Sequence, residues 1–219
     1  MAVNFERARD RMVATQLEAR GVSDARVLTA MRTVPRHRFV DPSLAAHAYD
    51  DSPLPIGHEQ TISQPYMVAV MSEALELPEF GARVLEVGAG SGYQAAVLAA
   101  LGAHGVTIER LPALAALASR RLTELGFGDA MHVEVGDGTA GWAASAPYDA
   151  ILVSAGAPVI PRPLVQQLAP GGRLVLPIGD RDEQVLVRIR RTSDGMLVED
   201  YLGHCRFVEL KGAYGWQDG

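Results

Sequence analysis

Apolar positions change period near residue 80. Upstream, Phe5, Ala8, Met12, Val13 and Leu17 recur at helical spacing and predict an amphipathic helix that stops at Gly21. Ser23-Asp24 predicts the start of a second helix, with Ser23 as its cap and Val27, Leu28 and Met31 turned inward. Residues 34–65 carry Pro35, Pro42, Pro53, Pro55, Gly57 and Pro65 and predict a long irregular segment, a kind of loop that compact domains usually keep for function. A third helix is expected over 65–76, presenting Met67, Val70, Met71 and Leu75.

Downstream, short apolar runs alternate with helical patterns. Strands are expected at 83–87, 105–109, 131–135, 149–154 and 173–178, and helices at 91–101, 111–125 and 161–169. This alternation implies a parallel sheet with right-handed crossovers. Two closing strands are expected at 184–191 and 205–210, with a turn at Asp194-Gly195, while 196–204 carries no clear pattern. The expected fold is α/β: a doubly wound, mostly parallel seven-strand sheet with an antiparallel edge and an N-terminal helical cap. One domain is expected over 1–219, with 1–78 as cap and substrate loop and 79–219 as the ligand-binding core.

Composition narrows the function classes. The net charge of −6 over 219 residues gives no electrostatic support to a nucleic-acid partner. The single cysteine excludes an intrachain disulfide, and the six histidines nowhere reach a metal-ligand spacing, so no metal is expected. Cys205 is expected to be buried packing, against the alternative that His204 and Arg206 lower its pKa. Arg7, Arg9 and Arg11 interrupt any early apolar run, and no window approaches the ~18 apolar residues of a membrane span. The expected location is the cytoplasm, without membrane association.

The candidate chemistry begins where the first core strand meets a glycine turn, Glu86-Val87-Gly88-Ala89-Gly90-Ser91-Gly92. Glycine lets the backbone turn sharply and approach a ligand closely. A dinucleotide fingerprint would want glycine at 93, where Tyr93 stands. Glu109, ending the second strand, can accept hydrogen bonds from both hydroxyls of a ribose, or be an ordinary strand-end acid. Asp137, between Gly136 and Gly138, suits an exocyclic amine such as adenine N6; its alternative is an Asx turn capping the residues that follow. Three acids at the carboxyl ends of strands repel a pyrophosphate but tolerate a sulfonium cation, which favours S-adenosylmethionine over NAD or ATP.

These residues carry a family resemblance. Glu86-Val-Gly-Ala-Gly-Ser-Gly-Tyr93 resembles motif I of the seven-strand S-adenosylmethionine-dependent methyltransferases of Rossmann-like fold, and Gln60-Thr-Ile-Ser-Gln-Pro65 is similar to the signature of the protein-L-isoaspartate (D-aspartate) O-methyltransferases. Val34–Val40, Tyr49–Gly57, Gly136–Gly138, Tyr148–Pro158 and Gly171–Gly179 agree, so the likeness spans nearly the whole chain. Two departures are Glu59, where the family often has Gly, and Glu209, where it often has Pro.

The resemblance implies methyl transfer to the free α-carboxylate of L-isoaspartyl and D-aspartyl residues in damaged proteins and peptides. S-adenosyl-L-methionine would be the cofactor, S-adenosyl-L-homocysteine its product, and the protein a monomer. By the same resemblance Glu86, Gly88, Ala89, Gly90, Ser91, Gly92, Glu109, Arg110, Asp137 and Gly138 hold the cofactor. Thr61, Ile62, Ser63 and Val208 meet the substrate, and Ser63 is the catalytic candidate. A carboxylate of pKa near ~4 is already ionised at neutral pH, so no catalytic base is required. Ser63 competes with a plain N-cap role before Pro65. Rival readings are a methyltransferase acting on small acids or RNA, a ligand-binding module without turnover, and an NAD-dependent oxidoreductase.

Overall fold

The structure is a computed structural model that describes residues 3–217. Helix α1, Phe5–Met12, starts at Asn4, whose side chain accepts from the Arg7 N–H. It continues through a π turn at Val13–Leu17 and a 3-10 turn, ending at Gly21 with φ 94°. The wider turn brings residues five apart onto one face, so Met12 and Leu17 are both fully buried. Helix α2, Ala25–Thr33, is capped by Asp24 and not by Ser23: the Asp24 carboxylate accepts from the N–H groups of Arg26 and Val27. The Ser23 N–H donates instead to Glu73 Oε1 at 2.7 Å. Asp24→Ala should therefore cost about 1 kcal/mol of stability, and Ser23→Ala much less, in paired urea melts.

The proline-rich segment is more ordered than its sequence suggests. Strands β1, Leu54–Gly57, and β2, Gln60–Ile62, pair antiparallel as a hairpin. Its tip is His58-Glu59, both left-handed with φ 52° and 59°. Two-residue hairpins of this shape usually carry Asn-Gly, so His-Glu gave no turn signal. Helix α3, Pro65–Ala74, follows with proline in its first turn.

The main sheet contains β3 (Arg83–Val87), β4 (His104–Glu109), β5 (Met131–Val135), β6 (Tyr148–Val153), β7 (Leu168–Gly179), β8 (Gln184–Arg191) and β9 (Leu197–Cys205). Helices α4 (Tyr93–Ala100), α5 (Pro112–Glu124) and α6 (Arg162–Gln166) connect them. The order is β5-β4-β3-β6-β7-β8-β9, parallel up to β7, with β8 antiparallel to both its neighbours. Alternate residues of the central strands feed two apolar layers. Val84, Ala150 and Leu152 face the N-terminal cap, while Leu85, Ile151 and Val153 face the opposite layer. Glu86 shares the face of Val84 and so points, fully buried, toward the cap.

The last strand departs from expectation. It runs over Leu197–Cys205, and residues 206–217 leave the sheet edge and cross back toward β6. Strand 205–210 does not exist as such; of it, Glu209 makes a single parallel bridge to Gly156. Alternation was hidden in 197–205 because the strand is exposed along much of its length and offers no buried face to select apolar residues. Among the described residues no helix is long and apolar enough to cross a membrane.

Candidate active site

A cleft of about 630 Å³ opens at the carboxyl ends of β3, β4 and β6, between the sheet and the cap. Such ends are where open α/β sheets present ligands. Its floor is the turn after β3. Gly88, Gly90 and Gly92 have φ of 94°, 50° and 87°, in the region that favours glycine, so the turn's shape needs all three. Gly88, Ala89, Gly90 and Ser91 line the cleft; Gly92 does not. Gly92 instead starts α4 against α5, where a Cβ would lie 3.3 Å from that of Ala118.

Glu109 sits at the end of β4, nearly buried. Its Oε2 accepts from the Gly90 N–H at 2.9 Å, and its Oε1 from the Leu111 N–H at 3.0 Å. One carboxylate thus braces the glycine turn and the start of α5, and each oxygen retains acceptor capacity. Arg110 lines the cleft beside it.

Glu86 is the electrostatic anomaly. No described residue hydrogen-bonds either of its carboxylate oxygens. Burial pushes its carboxyl up to about 8; the Thr107 hydroxyl, opposite on β4 but off hydrogen-bond geometry, pulls it down, and the Glu109 carboxylate pushes it further up. A buried acid with unused oxygens on the wall of a cleft is an attachment point for a cationic or hydrogen-bond-donating ligand.

Asp137 already holds three hydrogen bonds within the chain. Its Oδ1 accepts from the Thr139 N–H (2.9 Å) and hydroxyl (2.6 Å), and its Oδ2 from the Ala213 N–H (2.7 Å). It caps the turn at Gly138–Ala140 and stays off the cleft wall. Burial pushes this carboxyl up, but the bonds from Ala213 and Thr139 outweigh it and hold it below the usual range. The Asx-turn alternative describes its geometry, because the partner at 213 is invisible to local sequence reading. Gly138 does line the cleft; a Cβ there would fall 2.5 Å from Val87 Cγ1.

The opposite wall comes from the cap. Thr61 and Ile62 end β2, and Ser63 sits just before α3. All three line the cleft. Helix α3 is capped by Gln64 without any side-chain bond, so Ser63 is not its N-cap. Ser154 and Ala155, after β6, and Val208 through Lys211 complete the rim. His58 and Glu59 at the hairpin tip, with Gln94 on α4, also line it and were missed. Gln94 was hidden because it reads as one more helical position; its Nε2 donates to the buried Ser72 Oγ at 2.9 Å.

Cys205 lies away from this cleft at the end of β9, where burial pushes its thiol up to about 11. This agrees with the buried-packing reading; His204 and Arg206 are largely exposed and engage Glu183 and Asp182.

Comparison with known proteins places this cleft in a lineage. The family model described as protein-L-isoaspartate(D-aspartate) O-methyltransferase matches residues 7–214. A protein-L-isoaspartate O-methyltransferase of Geobacter metallireducens is 54% identical over 214 residues, covering 98% of both chains. A solved protein-L-isoaspartate O-methyltransferase superposes with a TM-score of 0.82 at 30% identity, over 94% of this chain and 67% of that one. The Plasmodium falciparum protein-L-isoaspartate O-methyltransferase, solved with S-adenosyl-L-homocysteine, gives a TM-score of 0.79 at 26% identity, over 91% and 96%. Since the likeness spans both the sheet that forms the floor of the cleft and the cap that forms its opposite wall, the chain belongs to the protein-L-isoaspartate(D-aspartate) O-methyltransferase family.

Proposed function

We propose that this protein transfers a methyl group from S-adenosyl-L-methionine to the α-carboxylate of isoaspartyl residues in proteins and peptides, the first step in their repair. The observation that carries this reading is one cleft that joins the glycine turn and its acids to the Thr61–Ser63 segment of the cap. Residues 1–78 would act as cap and substrate loop, and 79–219 as the cofactor core.

The residues present fit the cofactor. The turn at Gly88–Ser91 leaves room for a ligand against backbone, Glu109 has capacity for ribose hydroxyls, and Glu86 offers a buried acid without a partner. Arg110 and Gly138 would close the nucleoside end. When bound, S-adenosyl-L-methionine supplies an electrophilic methyl on a sulfonium that leaves as a neutral thioether. The chain's own contribution is then alignment and dehydration. Ser63 would donate a hydrogen bond from its hydroxyl to one carboxylate oxygen and leave the other oriented to attack. Ile62, 4% exposed, would keep water off the nucleophile, and Thr61 and Val208 would hold the peptide main chain. Alignment of this sort is worth roughly 7–11 kcal/mol of barrier.

The deciding test is transfer of labelled methyl to matched isoaspartyl and aspartyl peptides. Base-labile label on the isoaspartyl peptide alone supports the reading; label on neither, or equally on both, overturns it. Glu109→Ala should raise the dissociation constant of S-adenosyl-L-homocysteine at least about tenfold, since both the ribose acceptor and the brace on Gly90 go together. Calorimetric titration checks it.

A further inference from the structure

The arm that follows β9 has no strand beside it where it turns toward the cleft, yet one residue there is held as if it were paired. Gln184, the first residue of β8, is 1% exposed. Its Oε1 accepts from the Phe207 N–H at 2.8 Å. Its Nε2 donates to the Asp180 carbonyl at 3.0 Å and, at 3.4 Å, to the Phe207 carbonyl. The side-chain amide thus takes the place of a strand partner for residue 207. Immediately beyond, the Val208 carbonyl accepts from the Gly156 N–H, and the Leu210 N–H donates to the Gly156 carbonyl, both at 2.8 Å. The fit excludes any side chain at 156, where a Cβ would lie 2.6 Å from the Gln184 amide. Val208, Glu209 and Leu210 line the same cleft as Thr61–Ser63.

We propose that Gln184 is a positioning residue for the methyl acceptor: through Phe207 it sets the distance of the Val208 rim from Ser63, and hence how an acceptor peptide is gripped. Gln184 does not itself line the cleft. Its bonds are to the arm and the β7–β8 turn, and the glycine turn and its acids have no contact with it through hydrogen bonds. Losing it should loosen the acceptor side and leave the cofactor side intact. This inference rests on the proposed function for its substrate, so the test carries a readout independent of activity.

Gln184→Met keeps the volume and removes every bond; Gln184→Glu keeps an acceptor for the Phe207 N–H. The Met variant should raise the KM for an isoaspartyl peptide about tenfold, the scale of one to two lost hydrogen bonds, with kcat within threefold and S-adenosyl-L-homocysteine affinity within twofold of wild type. The Glu variant should fall between the two, and it carries the same comparison if the Met variant fails to fold. Emission of Trp216, whose Nε1 ties the same arm to the Gly156 carbonyl at 3.1 Å, should shift to the red in a Trp142→Phe background. An unchanged KM in a folded variant overturns the inference. So does an equal loss of cofactor affinity, which would mark general loosening. If wild type ignores the isoaspartyl peptide, the proposed function fails; the Trp216 shift then still decides whether Gln184 holds the arm, and an unshifted spectrum overturns that too.

Discussion

Ser63→Ala should lower kcat/KM for an isoaspartyl peptide about 10²-fold while leaving S-adenosyl-L-homocysteine affinity within twofold of wild type, because the serine acts through geometry. A hydrogen bond to a carboxylate weakens as that carboxylate is alkylated, since its negative charge is being neutralised. Charge stabilisation by the hydroxyl would therefore favour the ground state and slow transfer. The gain must come from holding the acceptor in line and dry. The structure is consistent with that role: Ser63 is free of the α3 cap, half-buried, and lines the cleft that the glycine turn also lines. Steady-state kinetics with a matched titration of the product cofactor separates the two effects. A loss below about threefold, or a parallel loss of cofactor affinity, would remove Ser63 from the transfer step.

Glu86→Gln should split ligand binding from stability. With its carboxyl raised to about 8 by burial, Glu86 is largely neutral at pH 7 in the free protein. An unfolded chain titrates this group near ~4.3, so between that value and about 8 the folded state binds more protons. Stability from this group is thus complete below the unfolded pKa and is lost as pH rises through the folded one. The glutamine variant cannot ionise, so its melting temperature should exceed that of wild type, by little at pH 5 and most near pH 8. Binding should move the other way. A cationic ligand next to Glu86 favours the ionised form, so wild-type affinity for S-adenosyl-L-methionine should climb by up to about tenfold per pH unit below 8. The glutamine variant should bind more weakly and lack this extra slope; comparing the two removes the titration of the ligand's own amine. Identical slopes would mean that Glu86 does not meet the cation.

Much of the site was legible because its signals are local. The glycine turn needs positive φ at three alternate positions, and only glycine adopts that conformation cheaply, so Gly88, Gly90 and Gly92 announce themselves. Strands buried on both faces read as short apolar runs, which is why β3, β4 and β6 fall within a residue of their expected bounds. Glu86 and Glu109 stand out as acids at the ends of such runs. Features without a local signal were not legible. Nothing near Asp137 indicates that Ala213, far along the chain, will take its second oxygen. Strand β9 is exposed enough that no buried face imposes alternation, and the His58-Glu59 hairpin uses residues that rarely adopt a left-handed turn.

The sequence by itself thus determined the α/β alternation, the glycine turn and its acids, and the family, since periodicity and turn chemistry depend on residues within a few positions of one another. Tertiary structure alone decided the sheet order beyond β7, the release of Ser63 from capping, the bond between Asp137 and Ala213, and the course of the arm past Gln184. These depend on groups distant in sequence competing for the same hydrogen bonds, and only the packed chain shows which partner comes within reach.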